Sequence, residues 1–361
     1  MSADRKDDHV LLALAQRTGV DTANEFDDVC FVHHALSGGD RATVDLTVDV
    51  CGRQWQTPLY INAMTGGSAR TGEINRDLAI AARETGLPIA VGSMSAYFED
   101  PTRASSYSVI RAENPDGVVL ANVNPNTTLA NARRAVDLLS ADALQVHLNT
   151  AQEIVMPEGD RSFEHWPSQL ERLAAGIEVP LIVKEVGFGL SRETLAYLVD
   201  LGVAAADVSG RGGTDFVTIE RSRRRDGRGS AFVGWGLGTA AALAEGNQAA
   251  LPLLASGGIR GPLDVARALA LGARAVGVSG SFLSTLHESG VSGLVTRIAS
   301  WLDELTDVMT VLGAATPHEM TTTDVLLTGV LRTKCLDRGV DLEALAHRHA
   351  AIRTTTEGTS R

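Results

Sequence analysis

The sequence predicts an α/β protein with a TIM (β/α)8 barrel, and three observations carry that reading. Short apolar runs alternate with amphipathic stretches along most of the 361 residues. The apolar runs are continuous, as expected for parallel strands buried on both faces. Eight such strand–helix units follow one another, which favours a closed barrel over an open doubly wound sheet.

The units read in order. "TPLYINAMTGG" (57–67) is a strand ending in a glycine turn, and "GEINRDLAIAARETG" (72–86) a helix stopped by Gly86. "LPIAVGS" (87–93) is the second strand, followed by a helix over 102–113. "DGVVLANVN" (116–124) precedes a helix over 127–140 that opens on threonine caps. "ALQVHLN" (143–149) precedes a helix over 167–176. "VPLIVKEVG" (179–187) precedes "SRETLAYLVDLG" (191–202), which has a serine cap and a glycine stop. "AAADVSG" (204–210) leads into an irregular stretch to about 235 and a helix over 239–247. "LPLLASGGI" (251–259), a helix over 261–273 and "AVGVSG" (275–280) complete the barrel, with a further helix after it.

Three segments organise the chain. Residues 1–56 form an extension with a helix (8–18) and a hairpin in "ATVDLTVDVCGRQWQTP"; 57–290 form the barrel; 291–361 add C-terminal helices. Residues 353–361, "RTTTEGTSR", are expected to be disordered.

Composition narrows the function. Hydrophobic residues make up 44% of the chain, enough for a large core, and aromatics only 4%. The formal net charge of -12 argues against non-specific nucleic-acid binding, which needs a basic face. Cys30, Cys51 and Cys335 lie far apart and lack zinc-site spacing, so they read as free thiols. The N-terminus lacks a signal-peptide core. No apolar run approaches the roughly 20 residues of a membrane span. A soluble, cytoplasmic protein is expected.

In a barrel of this kind the active site lies at the C-terminal ends of the strands. All eight ends here carry small or polar residues: "AMTGG", "GS", "NVN", "HLN", "KE", "SGRGGT", "SGGIR" and "SGS". Together they describe a polar pocket. The Gly257–Gly258 turn opens a helix, and "SGS" (279–281) ends the next strand. Backbone N–H groups and helix N-termini at those two loops form the usual phosphate site of the fold. Lys184 is the only lysine in the strands, and lysine is seldom buried without a partner. It reads as a Schiff-base lysine, an anion partner or the mate of Glu185, although neighbours on a strand point to opposite faces. "SGRGGT" (209–214) reads as a flexible loop or a second anion loop through Ser209 and Thr214. The basic island "RSRRRDGRGS" (221–230) reads as a solvated loop or as a lid over an anion. "QVHLNTAQE" (145–153) places His147, Asn149, Gln152 and Glu153 at one strand end, where unpaired polar groups are costly.

The set "RKDDH" (5–9), "AMTGG", "GSMSA" (92–96), "HLNTAQE" (147–153), "KEVGFG" (184–189), "SGRGGT" and "SGGIR" resembles type 2 isopentenyl diphosphate isomerase over nearly the whole chain. The resemblance implies an FMN-dependent barrel that interconverts isopentenyl and dimethylallyl diphosphate. It implies reduced FMN as acid/base cofactor, Mg²⁺ on the diphosphate and NADPH as reductant. By that resemblance Ala63, Met64, Thr65, Ser93, Asn122 and Lys184 would contact the flavin ring system. Ser209, Thr214, Gly258, Ile259, Arg260, Ser279 and Gly280 would hold its phosphate end. Arg5, Lys6, Ser93, Met94, Ser95, His147, Asn149 and Gln152 would meet the substrate, with Gln152, His147 and Lys184 in the catalytic roles. Glu153 would bind Mg²⁺. A homo-oligomer, tetramer or octamer, is implied as well. Many members carry Gln-Arg where this chain has Met94-Ser95, which leaves the 221–228 arginines as candidates for a missing diphosphate cation.

Three rivals are weighed. A 2-hydroxy acid oxidase on the same fold would want a His-Gly-x-Arg-Gln run where this chain reads "DVSGRGGTD". An IMP dehydrogenase-like barrel would need a cysteine at a strand end. A non-catalytic flavin or phosphate scaffold would not retain His147, Gln152, Glu153 and Lys184 together.

Overall fold

A computed structural model describes residues 3–17, 24–224 and 226–349, with the side chains of 3–5 and 17 outside the description. Eight strands close into a parallel barrel: β1 (Leu59–Ile61), β2 (Ile89–Ala90), β3 (Val119–Val123), β4 (Ala143–His147), β5 (Leu181–Lys184), β6 (Ala205–Asp207), β7 (Leu253–Ser256) and β8 (Ala273–Val278). They are neighbours in chain order, and β8 closes on β1 through Val276↔Leu59, Gly277↔Tyr60 and Val278↔Ile61. Seven of the eight predicted strand segments contain one of them, and the eighth, 275–280, overlaps β8, which begins two residues earlier. The first seven strands are shorter than predicted because ladder pairing stops where each chain turns outward into its loop.

The inner and outer faces of the strands serve different layers. Leu59, Ile61, Ile89, Val119, Ala121, Val123, Leu144 and Val146 belong to the sheet–helix core, as period-two alternation requires. Tyr60, Ala90, Leu120, Ala143, Ile182, Ala205, Leu254 and Ala275 fill the barrel interior. The surrounding helices end where local chemistry ends them. Ser191 caps the Arg192–Leu201 helix at Thr194 N–H, and Gly202 ends it at φ 75°, a conformation that glycine adopts without a Cβ penalty.

The extension closes the bottom of the barrel. Its hairpin (Val48–Val50 with Arg53–Trp55) inserts Val50 and Trp55 among the lowest interior residues, and the Trp55 ring meets Tyr60 edge-on at 5.6 Å. Val29–Phe31 pairs antiparallel with Val325–Leu327, tying the extension to the C-terminal segment. That pairing was not foreseen, because its two runs are short and far apart in sequence. After β8 the chain forms a helix over Gly280–Leu312 that breaks at Gly290. The expectation of disorder over 353–361 lies outside the described residues.

Candidate active site at the barrel mouth

Two steps of alternation change the character of the barrel interior. Tyr60 is followed inward by Asn62, Leu120 by Asn122, Ala143 by Gln145 and His147, Ile182 by Lys184, Ala205 by Asp207 and Leu254 by Ser256. The lower positions are a dry floor. Of the upper ones, Asn62, Asn122, His147, Lys184 and Ser256 line a cavity of about 560 Å³ at the C-terminal ends of the strands.

One wall is an anion cradle. Gly257 and Gly258 have φ of 91° and 79°, and a Cβ on Gly257 would lie 2.0 Å from the Gly210 carbonyl oxygen. Only glycine fits that turn. Thr239 Oγ1 donates to the carbonyls of Ser256 (2.8 Å) and Gly257 (2.7 Å), and Asn24 Nδ2 donates to Gly258 O at 2.6 Å. Gly258, Ile259 and Arg260 line the cavity with Ser279 and Gly280, where the last barrel helix begins. Backbone N–H groups at such a helix start favour an anion. The Arg260 side chain is tied to Asp264 (2.8 Å) and Asp27 (3.0 Å), and those two carboxylates hold its proton affinity above the usual value. Ser209 and Thr214 bracket the loop 210–213 that packs directly against the cradle, and both line the cavity.

The opposite wall is a hydrogen-bonded amide and carboxylate chain. His147 Nδ1–H donates to Asn122 Oδ1 at 2.7 Å, while Asn122 Nδ2 donates to Gln145 Oε1 at 3.4 Å. Burial, then the positive charges of Lys184 and Lys6, push the His147 pKa down to about 3. The ring is therefore neutral, with Nε2 an acceptor. Asn149 Nδ2 donates to Gln152 Oε1 (3.2 Å) and Glu153 Oε1 (2.9 Å). Gln152 Nε2 donates to Glu220 Oε1 at 3.1 Å, so both ends of the Gln152 amide are fixed. Glu220 is fully buried, yet bonds from His9, Gln152 and Arg223 outweigh burial and hold its carboxyl below the ordinary range.

Lys184 stands between the walls. It is buried, and Nζ donates to the Glu185 backbone oxygen at 2.5 Å. The Glu185 carboxylate is aimed elsewhere, accepting N–H bonds from Val186 (2.6 Å), Gly187 (2.9 Å) and Phe188 (2.6 Å), and burial raises its pKa to about 7. Burial lowers the proton affinity of Lys184, against the attraction of Asp207 and Glu185.

The helix Ala3–Arg17 forms the roof and contributes Lys6, His9, Val10 and Ala13 to the lining. Three contacts clip it across the mouth. Ser68 Oγ donates to Asp7 Oδ1 at 2.7 Å, His9 Nε2 lies 2.9 Å from Glu220 Oε1, and Gln16 exchanges two 2.9 Å bonds with the Asp215 backbone.

The cavity brings together most of the residues singled out in the sequence: Lys6, Ala63, Met64, Ser93, Ser95, Asn122, His147, Asn149, Gln152, Glu153, Lys184, Ser209, Thr214, Gly258, Ile259, Arg260, Ser279 and Gly280. Three differ. Met94 is fully buried in the sheet–helix core and does not line the cavity, because the Gly92–Ser93 turn rotates its apolar side chain outward. Thr65 is buried behind the lining, where its carbonyl accepts from Gly92 N–H at 3.1 Å. Arg5 lies in the roof helix, and its side chain is outside the described residues. None of the described arginines of the 221–228 island lines the cavity. Arg223 pairs with Glu220 and Glu158, Arg224 pairs with Asp226 and donates to Val155 O at 2.8 Å, and Arg225 is outside the described residues.

Gln152 and Glu153 also sit on a short helix, Thr150–Val155, that the sequence reading left as a strand end. Glu220, His9, Asn24 and Asp207 were missed. Asp207 had a readable signal, a lone carboxylate in "AAADVSG", the same logic that picked out Lys184.

The residues fit FMN. A glycine turn that excludes any Cβ meets a helix start for a phosphate, and neutral donors such as Ser93 and Asn122, with the buried cation Lys184, border the remaining space. They also fit Mg²⁺ held mainly by substrate oxygens. Among the described residues no three His, Cys, Asp or Glu side chains form a metal cluster, but Glu153 lines the cavity beside the buried, unpartnered Asn149 Oδ1.

Residues 111–327 match the model of the FMN-dependent dehydrogenase family. A variant of mandelate oxidase with the monooxide FMN adduct superposes with a TM-score of 0.62 at 19% identity, covering 89% of this chain and 92% of that one. Isopentenyl-diphosphate delta-isomerase of a Streptomyces species is 58% identical, covering 100% of this chain and 99% of the relative. The enzyme of the same name from Latilactobacillus sakei is 44% identical over 95% of this chain and 98% of its own. The chain therefore belongs to the isopentenyl-diphosphate delta-isomerase family, built on the barrel of the FMN-dependent dehydrogenases.

Proposed function

We propose that this protein interconverts isopentenyl diphosphate and dimethylallyl diphosphate, with reduced FMN and Mg²⁺ bound and NADPH as reductant, in the cytoplasm. The observation that carries this reading is one cavity with two unlike walls. The glycine cradle suits a cofactor phosphate, and the His147–Asn149–Gln152–Glu153 wall suits a second, metal-bound anion with its reacting carbon chain.

The cradle residues Gly258, Ile259, Ser279 and Gly280 would hold the FMN phosphate, with Ser209 and Thr214 on the loop packed against them. Ala63, Met64, Ser93, Asn122 and Lys184 would surround the ring. Reduced FMN, when bound, supplies acid–base chemistry at the alkene, whose carbons exchange protons poorly in water. The protein's own residues do the rest. Lys6 from the roof and the hydroxyls of Ser93 and Ser95 bind the diphosphate. Glu153 binds Mg²⁺ through one carboxylate, as suits an ion that keeps water and phosphate oxygens. Gln152, fixed by Asn149 and Glu220, orients the chain of the substrate. His147 keeps its proton on Nδ1 and offers Nε2 as acceptor. An arriving diphosphate would raise its proton affinity, since an opposite charge nearby favours the charged form. The roof helix excludes water from the reacting carbons.

The test is direct. Purified protein is expected to be yellow, to bleach on anaerobic NADPH addition and to isomerise isopentenyl diphosphate with FMN and Mg²⁺. No turnover under anaerobic reducing conditions would overturn the reading.

A further inference from the structure

We propose that Asp207 is a positioning residue that keeps Lys184 charged and aims that charge into the cavity. The inference deepens the proposed function and rests on it only where flavin is the reporter.

Asp207 is fully buried at the end of β6 and does not line the cavity. It pairs in register with Lys184 on β5, and residues in register on neighbouring strands share a face. Its carboxylate is saturated with neutral donors drawn from three strands or strand ends. Tyr60 Oη–H donates at 2.8 Å, Asn62 Nδ2 at 2.9 Å, Ser256 Oγ lies 2.9 Å from each oxygen, and Ser209 N–H donates at 3.0 Å. Burial, and then Asp207 itself, drive the Tyr60 pKa far up, so Tyr60 remains a donor.

This arrangement is more than a satisfied core carboxylate. Asn62, Ser256, Ser209 and Lys184 all line the cavity, while Asp207, which accepts from the first three and stands in register with Lys184, lies behind the lining. Such donors stabilise the anion, and a buried anion then offsets the desolvation of a nearby ammonium. The other groups facing Lys184 supply less of that charge or none. His147 on β4 is neutral, Glu185 turns its carboxylate to three backbone N–H groups, and Lys6 in the roof is a like charge.

The chain has only three lysines, Lys6, Lys184 and Lys334. Lysine labelled with ¹³C at Cε therefore gives three resolvable signals in the full-length protein, with Lys334, 2.7 Å from Glu25, as internal control. Asp207→Asn is expected to lower the titration midpoint of the Lys184 signal by about one to three pH units. Ser256→Ala, which keeps the carboxylate but removes the one hydroxyl shared by its two oxygens, should move it the same way by less. The Lys334 signal should stay put in both. An unchanged or raised Lys184 midpoint in whichever variant folds would overturn the proposal.

With FMN bound and reduced, Asp207→Asn should hold the N1 proton of the flavin to higher pH, read from its absorption, because the cation that favours the anionic ring is weakened. If removing Asp207 lowered that pH, or left it unmoved while the lysine signal shifted, the charge would not be delivered to the cavity and the proposal would fail. If FMN does not bind, the cofactor reading fails while the lysine titration still decides the role of Asp207.

Discussion

The floor and the mouth of the barrel are built from the same strands, yet they solve opposite problems. At the floor, Leu120, Ala143, Ile182, Ala205 and Leu254 meet Val50 and Trp55 of the hairpin, and the interior is dry and closely packed. Two residues further along each strand, the inward positions are Asn122, Gln145, Lys184, Asp207 and Ser256. Each of these polar groups costs free energy to bury unless it is paired. The floor therefore carries stability, and the mouth uses part of it to hold groups that a ligand will need. Even the mouth's residual defects point that way: Gln145 Nε2 and Asn149 Oδ1 are buried without partners among the described residues.

The sharpest way to break this comparison is to damage the floor. Trp55→Ala removes the largest part of the plug and should destabilise the protein by about 3–5 kcal/mol, read from urea unfolding midpoints. FMN affinity, followed by quenching of its fluorescence, should change by less than about two-fold where the protein remains folded, because only free energies in the same contact network couple strongly. A collapse of FMN binding with little loss of stability would show that floor and mouth are not separate.

The complementary change is at the mouth. Gln152→Ala should lower kcat/KM by about 100- to 1,000-fold, equivalent to about 2.7–4 kcal/mol of transition-state binding. The thermal midpoint should fall only modestly, since Gln152 borders the cavity and what is lost is its hydrogen bonds to Asn149 and Glu220 rather than core packing volume. Rescue in part by Gln152→Asn would favour the hydrogen-bonding role. Full activity of both variants would remove Gln152 from the site.

His147 sharpens the same contrast through pH. Its folded pKa of about 3 lies below the ordinary 6.5, so the unfolded chain binds the proton more tightly. The stability contributed by the neutral ring is present above about pH 6.5 and is lost as pH falls toward 3, at up to about 1.4 kcal/mol per pH unit. His147→Gln should flatten that part of the stability profile. Parallel profiles of wild type and variant between pH 6.5 and 5 would mean that the ring is not held neutral. No floor residue titrates in this range, so a floor variant should leave the slope intact.

How much of this was legible in the sequence follows from the range of the interactions. Strands buried on both faces leave continuous apolar runs, and a lone polar residue such as Lys184 at the end of one stands out. The glycine turn at 257–258 was legible because no other residue fits it. Met94 misled because a Gly-Ser-Met-Ser run does not reveal which way its turn rotates. Glu220 was hidden because its partners, Gln152 and His9, come from segments 68 and 211 residues away, which no local period encodes. The resemblance brought Arg5 and Lys6 to the substrate, but the clip that holds the roof was hidden for the same reason: Gln16 and Asp215 are 199 residues apart.

That long-range clip gives the smallest expected effect. Gln16 makes two hydrogen bonds to the Asp215 backbone, each worth about 1 kcal/mol or less in net stability. The other two clips, at Asp7 and His9, remain in a Gln16→Ala variant. The roof should therefore open more often without leaving. A loss near 1 kcal/mol corresponds to about a five-fold rise in the open population, which reduces the fraction competent to retain substrate. KM for isopentenyl diphosphate should rise by at most about that factor, the limit being reached only where the open roof already dominates, with kcat nearly unchanged, because the residues at the reacting carbons are untouched. Amide exchange over 3–17 should accelerate in step, while amides of β3 and β4 exchange as before. Faster exchange in the strands as well would mean that the roof is part of the barrel's cooperative unit and not a separate closure over its mouth.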